Sequence, residues 1–318
     1  MNEALGIRES RVRSRQTRVA IIGRDFRRNK HIYLMAVPVV LFFVIFHYVP
    51  MYGALIAFKR FTPAEGVLGS PWVGFKYFQE FFSSYYFWRL LRNTFSISFY
   101  SLVFGFPAPI ILALLLNEVQ NVRFKRTAQS ITYLPHFVSL VVICGMIAHF
   151  TQRDGVVNDI VALFGGKRVT MLSRPEYFQP LYVATGIWQE IGWESIIYLA
   201  ALAAVDPSLY EAAIMDGANR IQRLWGITLP SILPTIIILL ILSIGRLFSV
   251  GYEKILLLYN PTIYETADVI STFVYRKGLI DFGWSYATAV GLFNSVTNLV
   301  LLVVANYLSR RVSETSLW

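Results

Sequence analysis

The chain has 318 residues and a formal net charge of +10, yet 55% of its residues are hydrophobic and only 15% are charged. Soluble domains carry about 25% charged residues, so this composition excludes an ordinary soluble domain and indicates that lipid surrounds several long apolar runs. The basic excess does not predict nucleic-acid binding, because most Lys and Arg residues lie outside the apolar runs, where anionic lipid headgroups attract them.

Six apolar stretches are long enough to cross the hydrocarbon core, which takes about 20 residues of helix. They cover approximately residues 32–58, 94–116, 129–150, 180–205, 230–256 and 286–308. This pattern predicts an all-α membrane protein with six transmembrane helices over residues 32–308, between a basic N-terminal tail (1–31) and a short C-terminal tail (309–318). The first stretch is interpreted as a retained anchor, because it is longer than the apolar core of a signal peptide and no clear small-residue cleavage site follows it.

The positions of Lys and Arg predict how these spans are oriented, because cytoplasmic segments are enriched in both residues. The N-terminal tail holds nine basic residues between Arg8 and Lys30. With six spans, it lies on the same side as the loops around residues 123–126 and 220–223 and the C-terminal tail, which are also basic. The loops on the opposite side are longer and carry sparser basic charge. Both termini and the loop over residues 206–230 are therefore predicted to be cytoplasmic.

The last of these loops carries strong local signals for a helix. Asp206 is a favourable N-cap, and Pro207 suits the first helical position. A helix is predicted from Pro207 to Asp216, with Gly217 in the left-handed conformation that often ends helices. A second helical segment is predicted over residues 218–228, directly before the fifth span.

Small and acidic residues on this loop helix indicate a docking use. Ala212, Ala213 and Asp216 share one face, and alanines allow the backbone of a partner to approach closely. Glu211 and Asp216 add negative charge, with which a basic residue of the partner could pair. The residues alone equally allow a solvated helix that merely joins two spans.

The run Glu-Ala-Ala, two further residues, Asp-Gly-Ala and a later Leu-Pro resembles the signature loop of permease subunits in type I ATP-binding-cassette (ABC) importers. The consensus positions of that loop are filled here by Glu211, Ala212, Ala213, Asp216, Gly217, Ala218, Ile227, Leu229 and Pro230. The resemblance implies the type I ABC importer permease fold. It also implies that the first five of these residues belong to a coupling helix, which sits in a cleft of the ATPase subunit.

Further runs extend the resemblance over nearly the whole chain. Those that resemble sugar-importing members cover residues 74–78, 87–94 and 133–135. Those that resemble the branch for complex oligosaccharides, such as fragments of pectin or alginate, cover residues 188–193, 251–261 and 316–318. Glu194 departs from this pattern, since a smaller or neutral residue is expected there.

The resemblance implies a permease subunit in a bacterial cell membrane that takes up oligosaccharides by alternating access. The expected partners are a second related permease subunit, two ATPase subunits and an extracellular solute-binding protein. The chain itself is expected to be no enzyme and to bind no cofactor, because ATP and Mg²⁺ would be bound by the ATPase subunits. The residues agree with this, since the four histidines lack the spacing of a metal site and Gly166-Lys167 lacks the other positions of a phosphate-binding loop.

Polar residues inside the predicted spans indicate a path through the membrane. A charge at the bilayer centre costs about 2.5–3.5 kcal/mol on insertion scales, so such residues should face a water-filled cavity or one another. Sugar hydroxyls need polar partners, and the apolar faces of sugar rings stack on aromatic side chains. The candidates for contact with a sugar are therefore Trp188, Glu190, Trp193, Glu194, Arg246 and Asn294.

Other interpretations of these residues stay open at this point. Glu190 or Glu194 could pair with Arg246 and only fix helix packing. Glu253 and Lys254, near the outer end of the fifth span, equally allow a salt bridge, a gate contact or a sugar contact. The alternative function is an ion-gradient-driven secondary transporter, in which the two glutamates of the fourth span would carry protons. A membrane-embedded enzyme is disfavoured, because the sequence contains no recognisable metal or nucleophile constellation.

Overall fold

The computed structural model describes residues 28–312, where helices are joined by turns and loops. No strand occurs among these residues, and one isolated bridge pair joins Lys59 and Trp72. The chain divides after Leu55 into two compact units. The described part of the first unit is formed by helix α1 (Lys30–Phe58), whose last residues belong to the second unit.

The second unit continues with helices of very different length. In chain order its longer helices are α2 (Lys76–Phe82), α3 (Tyr86–Glu118), α4 (Val122–Phe137), α5 (Leu140–Phe150), α6 (Val156–Leu163), α7 (Pro175–Ala203), α8 (Pro207–Met215), α9 (Arg220–Gly245), α10 (Tyr252–Leu258), α11 (Ile270–Tyr275) and α12 (Trp284–Val312). Shorter helical turns cover Gly66–Gly69, Met171–Ser173, Pro261–Ile263, Tyr264–Ala267 and Arg276–Ile280.

Four of the described helices are individually long and apolar enough to cross a membrane, namely α1, α3, α9 and α12. Two bent pairs, α4 with α5 and α7 with α8, raise that number to six if each pair is counted as one span. The all-α architecture predicted from the sequence is confirmed within residues 28–312. The orientation of the termini and the boundaries of the two tails stay predictions.

The predicted third span, residues 129–150, is not one straight helix. Helices α4 and α5 meet there at an angle of 99°. Pro135 lies in a 3₁₀ turn at the end of α4, after which the backbone becomes extended. Ser139 then caps α5, because its hydroxyl accepts a hydrogen bond from the Val142 N–H at 3.4 Å. A proline followed by an N-cap residue is a local signal for a helix boundary, which the apolar run obscures.

The predicted fifth span, residues 230–256, differs from the structure at both ends. Helix α9 begins earlier, at Arg220, and not at residue 218 as predicted for the preceding segment. Its start is set by a capping box. The side chain of Asn219 accepts a hydrogen bond from the Gln222 N–H at 2.9 Å, and the side chain of Gln222 accepts one from the Asn219 N–H at 2.8 Å. The helix ends at Gly245, and a turn separates it from α10.

Three of the prolines inside the long helices follow π-helical turns. In each of these cases the turn ends two residues before the proline: Val44–Tyr48 before Pro50, Ser101–Gly105 before Pro107, and Leu224–Thr228 before Pro230. A proline ring clashes with the carbonyl four residues earlier, and that carbonyl belongs here to the middle residue of each π turn. The wider turn lets the helix continue through the proline, so Pro230 lies inside α9 and does not begin it.

Helix α7 packs against several others of the second unit. Its Tyr198 and Leu202 form a buried cluster with Ala113 of α3 and Ile232 of α9. Its Gly192 allows direct backbone contact with α4, since a Cβ at this position would lie 2.1 Å from the carbonyl oxygen of Thr132. The polar residues of α7 are therefore held in one place by neighbours on more than one side.

A buried carboxylate anchors the segment before α12 to α3. The side chain of Asp268 is fully buried and forms ion pairs with Arg89 at 3.2 Å and Arg276 at 2.7 Å. Asn93 of α3 donates to the carbonyl oxygens of Asp268 and Glu265 at 3.0 and 2.8 Å. These contacts from α3 join residues more than 170 positions apart, and they fix the segment that follows the cavity described next.

Candidate functional site

A cavity of about 630 Å³ lies inside the second unit. Its wall is formed by parts of α3, α5, α7, the end of α9, the following turn and α10. Ligand pockets for small molecules typically measure about 300–1,000 Å³, so this cavity is large enough to hold a ligand. It brings several of the predicted polar residues to one place.

One stripe of α7 faces the cavity. Its lining side recurs at helical spacing and consists of Tyr182, Val183, Gly186, Ile187, Gln189, Glu190, Ile191 and Glu194. Arg246, at the end of α9, lines the same cavity. The structure thus brings together three of the predicted path residues, two acids from the fourth span and a cation from the fifth.

The other three predicted path residues do not line the cavity. Trp188 and Trp193 are 46% and 43% exposed on the remaining surface of α7. Asn294 lies on α12, where its side-chain oxygen is buried and has no hydrogen-bond partner among the described residues. Any contact of these three with a sugar would therefore require a surface other than this cavity.

Glu190 is held by a residue that was not among the predicted path residues. The Nδ1 atom of His136 lies 2.7 Å from Oε2 of Glu190. The His136 ring also stacks on Trp193, with 4.4 Å between the ring centroids and 3° between their planes. His136 and Glu190 are 54 positions apart, so this contact between the bend of the third span and α7 has no local sequence signal.

The structure does not contain the packing pair considered as an alternative for these charges. Within residues 28–312, Arg246 forms no ion pair with Glu190, Glu194 or any other acidic residue. Arg246 is exposed and lies at the C-terminal end of α9. The guanidinium group is therefore available to a ligand in the cavity.

Lys254 does not lie on a continuous helix of the predicted fifth span, because α9 ends at Gly245. It lies on α10, is only 7% exposed and lines the cavity. Its Nζ donates to the carbonyl oxygen of Tyr182 at 3.3 Å and lies 5.0 Å from the centroid of the Tyr182 ring. The sequence suggested a continuous helix here, so the turn that carries Lys254 back to the cavity could not be predicted.

A side chain from α12 holds the turn between α9 and α10. Asn298 accepts a hydrogen bond from the Phe248 N–H at 2.9 Å and donates to the Ser249 hydroxyl at 2.9 Å. Both contacts satisfy polar groups that the end of α9 would leave unpaired. Asn298 thereby positions the part of the cavity wall that lies between Arg246 and Lys254.

Helix α8 has well-defined ends. Asp206 caps its start by accepting a hydrogen bond from the Ser208 N–H at 2.9 Å, and this bond holds the pKa of the Asp206 carboxyl below its usual range. At the other end Gly217 has φ of +77°. The N–H of Ala218 bonds to the carbonyl of Ala213 at 2.9 Å, a Schellman ending in which the glycine has no steric cost.

The surface of α8 is open over most of its length, since none of its residues is buried. Glu211, Ala212, Asp216 and Gly217 are exposed, and Ala213 is half-buried. The one side that faces the chain is tied down by Tyr210, whose hydroxyl lies 3.0 Å from the Thr228 hydroxyl. Large apolar side chains are left in the open, with Met215 87% and Ile214 54% exposed.

The model of a family described as "Binding-protein-dependent transport system inner membrane component" matches residues 105–314. The chain belongs to this family. The match includes α8 and the parts of α7, α9 and α10 that line the cavity. As a binding-protein-dependent permease component, the chain is a multi-pass inner-membrane protein, in agreement with its apolar helices.

Several relatives of this permease component match over most of their length. Protein LplB of Bacillus subtilis (strain 168) is 46% identical, over 92% of this chain and 92% of its own length. The polygalacturonan/rhamnogalacturonan transport system permease protein YteP of the same strain is 44% identical, over 92% of this chain and 91% of its own length. In the crystal structure of a bacterial ABC transporter involved in the import of the acidic polysaccharide alginate, one chain shares 45% identity and a TM-score of 0.85, over 92% of this chain and 99% of that chain.

Proposed function

We propose that this permease is the transmembrane subunit of an ATP-driven importer for oligosaccharides, including fragments of acidic plant or algal polysaccharides such as pectin or alginate. Its relatives support this proposal, because one is named for polygalacturonan and rhamnogalacturonan transport and another belongs to an alginate importer. A second similar structure is a bacterial alginate ABC transporter in complex with an alginate pentasaccharide-bound periplasmic protein. By analogy, an extracellular solute-binding protein delivers the sugar to this chain.

The observation that carries the ATP-driven part of the proposal is the exposed helix α8. It has a preorganised cap at each end, yet buries none of its own residues. Exposed apolar patches framed by polar residues mark interaction surfaces, and here Met215 and Ile214 lie beside Glu211 and Asp216. An ATPase subunit docks on this surface, where Ala212 and Ala213 allow close approach and the two acids pair with basic residues. Gly217 ends the helix so that these side chains stay on one short rigid element.

The cavity supplies the path for the sugar. Glu190, Glu194 and Arg246 line it, and their charges offer acceptors and donors to sugar hydroxyls. Trp193 acts through the His136 ring, which stacks on it and holds Glu190. Trp188 and Asn294 do not line this cavity, and their contact with the sugar stays a prediction.

The transport step follows from two alternating states. A second related permease subunit completes the pore, and two ATPase subunits bind ATP and Mg²⁺, so this chain needs no cofactor of its own. ATP binding closes the ATPase subunits, moves α8 with its cap residues, and shifts the pore from inward-open to outward-open, where the binding protein releases the sugar. A ligand shifts such an equilibrium only by its difference in affinity for the two states.

Uptake into proteoliposomes tests this function. The chain, its second permease subunit and the ATPase subunits are reconstituted together, the binding protein is added outside, and entry of a labelled oligosaccharide is followed. We expect uptake that requires ATP, persists when ionophores collapse all ion gradients, and is accompanied by ATP hydrolysis only when the ATPase subunits are present. Uptake that an ion gradient drives without ATP would contradict the proposal and favour a secondary transporter.

A further inference from the structure

Lys254 is a buried cation that has no acidic partner in the described part of the chain. Its hydrogen bond to the Tyr182 carbonyl and its position over the Tyr182 ring solvate the ammonium group but do not neutralise it. Within residues 28–312, no carboxylate lies at ion-pair distance from Lys254. Burial of an unpaired charge is costly, so an anion that entered the cavity beside Lys254 would lower the free energy of the site.

Arg246 brings a second cation to the same wall. It ends α9, whereas Lys254 lies on α10, and the turn between them also lines the cavity at Ser249 and Gly251. In the described part of the chain Arg246 forms no ion pair. The wall held by Asn298 therefore presents an ammonium and a guanidinium group to one cavity, and neither is neutralised by an acidic residue of this described part.

The two acidic residues of the cavity lie further along α7 than the point at which Lys254 approaches this helix. A Cβ at Gly186 would lie 3.6 Å from the Nζ of Lys254, which places that ammonium group beside Gly186. Glu190 and Glu194 follow one and two turns further along, at about 1.5 Å of rise per residue. Glu190 is already paired with His136 at 2.7 Å. The ammonium group of Lys254 thus lies about one helical turn along α7 from Glu190, and no acidic residue within residues 28–312 forms an ion pair with it.

We propose that Lys254 and Arg246 form a subsite for the carboxylate of a uronate residue, through which the pore prefers acidic oligosaccharides to neutral ones. This inference rests on the proposed function, because it requires that an oligosaccharide passes through this cavity. A planar guanidinium binds a carboxylate with two parallel hydrogen bonds, and an ammonium adds a compact charge. Both contacts are stronger inside a protein than in water, because the effective dielectric constant is lower.

A comparison of two matched sugars tests the subsite. The complete importer is reconstituted with its binding protein, and uptake of tetragalacturonate is measured beside uptake of its neutral methyl ester. The preference of the binding protein cancels when each variant is divided by the wild-type rate for the same sugar. We expect Lys254→Gln to lower tetragalacturonate uptake roughly ten- to hundredfold, as loss of a charged hydrogen bond does, and to change ester uptake less than about twofold.

Further variants separate the charge from the shape of the side chain. Lys254→Arg keeps the cation and should restore most tetragalacturonate uptake. Arg246→Gln changes an exposed residue and therefore provides a second test if Lys254→Gln impairs assembly. It should also lower tetragalacturonate uptake selectively. Lys76→Gln removes an exposed lysine charge on α2, outside the cavity, and should leave the ratio between the two sugars unchanged.

The possible results discriminate between the subsite and the proposed function. An equal loss of both sugars, or no loss of either, in Lys254→Gln and Arg246→Gln would overturn the subsite while ATP-dependent uptake by the wild type upheld the proposed function. Absence of ATP-dependent uptake of both sugars by the wild-type importer would overturn the proposed function and the subsite together. A selective loss of the acid that Lys254→Arg reverses would support both.

Discussion

Helix α8 and the cavity differ in how far along the chain their defining contacts reach. The caps of α8 join residues that are two to five positions apart, such as Asp206 with Ser208 and Ala218 with Ala213. The cavity depends on contacts over 54, 50 and 72 positions, which tie Glu190 to α4, Phe248 to α12 and Lys254 to α7. Helix α8 is thus formed by its own local sequence and leaves its surface open for the proposed ATPase contact, whereas the cavity is formed by distant parts of one chain.

The largest expected effect tests the dependence of α8 on a partner. Glu211 is exposed on the surface of α8, so Glu211→Lys should leave the fold and membrane insertion intact. It should abolish ATPase docking and uptake, because the added positive charge would repel the basic ATPase residue with which we propose that Glu211 pairs. Co-purification of the ATPase subunits and ATP-dependent uptake measure these effects.

A matched charge reversal controls for net charge. Asp154 is exposed in the turn between α5 and α6, and Asp154→Lys should retain ATPase binding. Normal docking and normal uptake by Glu211→Lys would refute the role of α8. Equal loss of docking in both variants would show that total charge, and not the position on α8, controls the interaction.

The next largest effect is expected for Asp268, whose ion pairs join distant parts of the second unit. Asp268→Asn removes the charge that neutralises Arg89 and Arg276, and breaking a buried ion pair costs about 3–5 kcal/mol. We expect a marked decrease in the unfolding temperature of the detergent-solubilised protein. The substitution leaves the local sequence of α8 unchanged, so the decrease would come from the lost contacts of Asp268. An unfolding temperature equal to that of the wild type would show that this cluster does not hold the segment before α12.

Two asparagines on α12 provide a sharper comparison. Asn298 bonds to the turn after α9, whereas the buried oxygen of Asn294 has no hydrogen-bond partner in the described part of the chain. Asn298→Ala should destabilise the protein by about 1–2 kcal/mol through its lost hydrogen bonds, and Asn294→Ala should cost less. Thermal unfolding of both variants measures the difference, and the reverse order would contradict the role of Asn298 in holding the turn.

The smallest effect concerns the local ending of α8. Gly217 has φ of +77°, and a Cβ added there would meet no atom within 4 Å, so Gly217→Ala adds only backbone strain of roughly 1–2 kcal/mol. This strain should loosen the end of α8 and lower uptake several-fold. Gly226→Ala is the matched control, because Gly226 also has open space but no positive φ. Equal uptake by the two alanine variants would show that the left-handed ending is dispensable.

The ends of α8 could be predicted from sequence because each is set by neighbouring residues. Asp206 and Gly217 act where predicted. The start of the next helix is displaced, since Asn219 begins α9 through a local capping box, and the predicted boundary before Pro230 is absent, because α9 is continuous from Arg220 to Gly245. The bend at Pro135 was a readable signal as well, but the apolar run through it favoured a single span. The family resemblance, carried by the same local loop, agrees with the family match over residues 105–314.

The cavity could be predicted only in part. The spacing of Glu190 and Glu194 is a property of one helix, and both line the cavity. The partner of Glu190 could not be predicted, because His136 reaches it only after the third span bends by 99°. Lys254 was assigned to a continuous fifth span for a similar reason, since the turn that brings it to the cavity is held by Asn298 from another helix.

The accessibility of one introduced thiol tests the central claim, that an ATPase subunit covers α8. The native Cys144 is buried, so in an Ala212→Cys variant the exposed position on α8 supplies the reactive thiol to a membrane-impermeant maleimide. The account predicts rapid labelling of the permease without its ATPase subunits and strong protection in the assembled importer. Equally rapid labelling in an assembled, transport-active importer would contradict it.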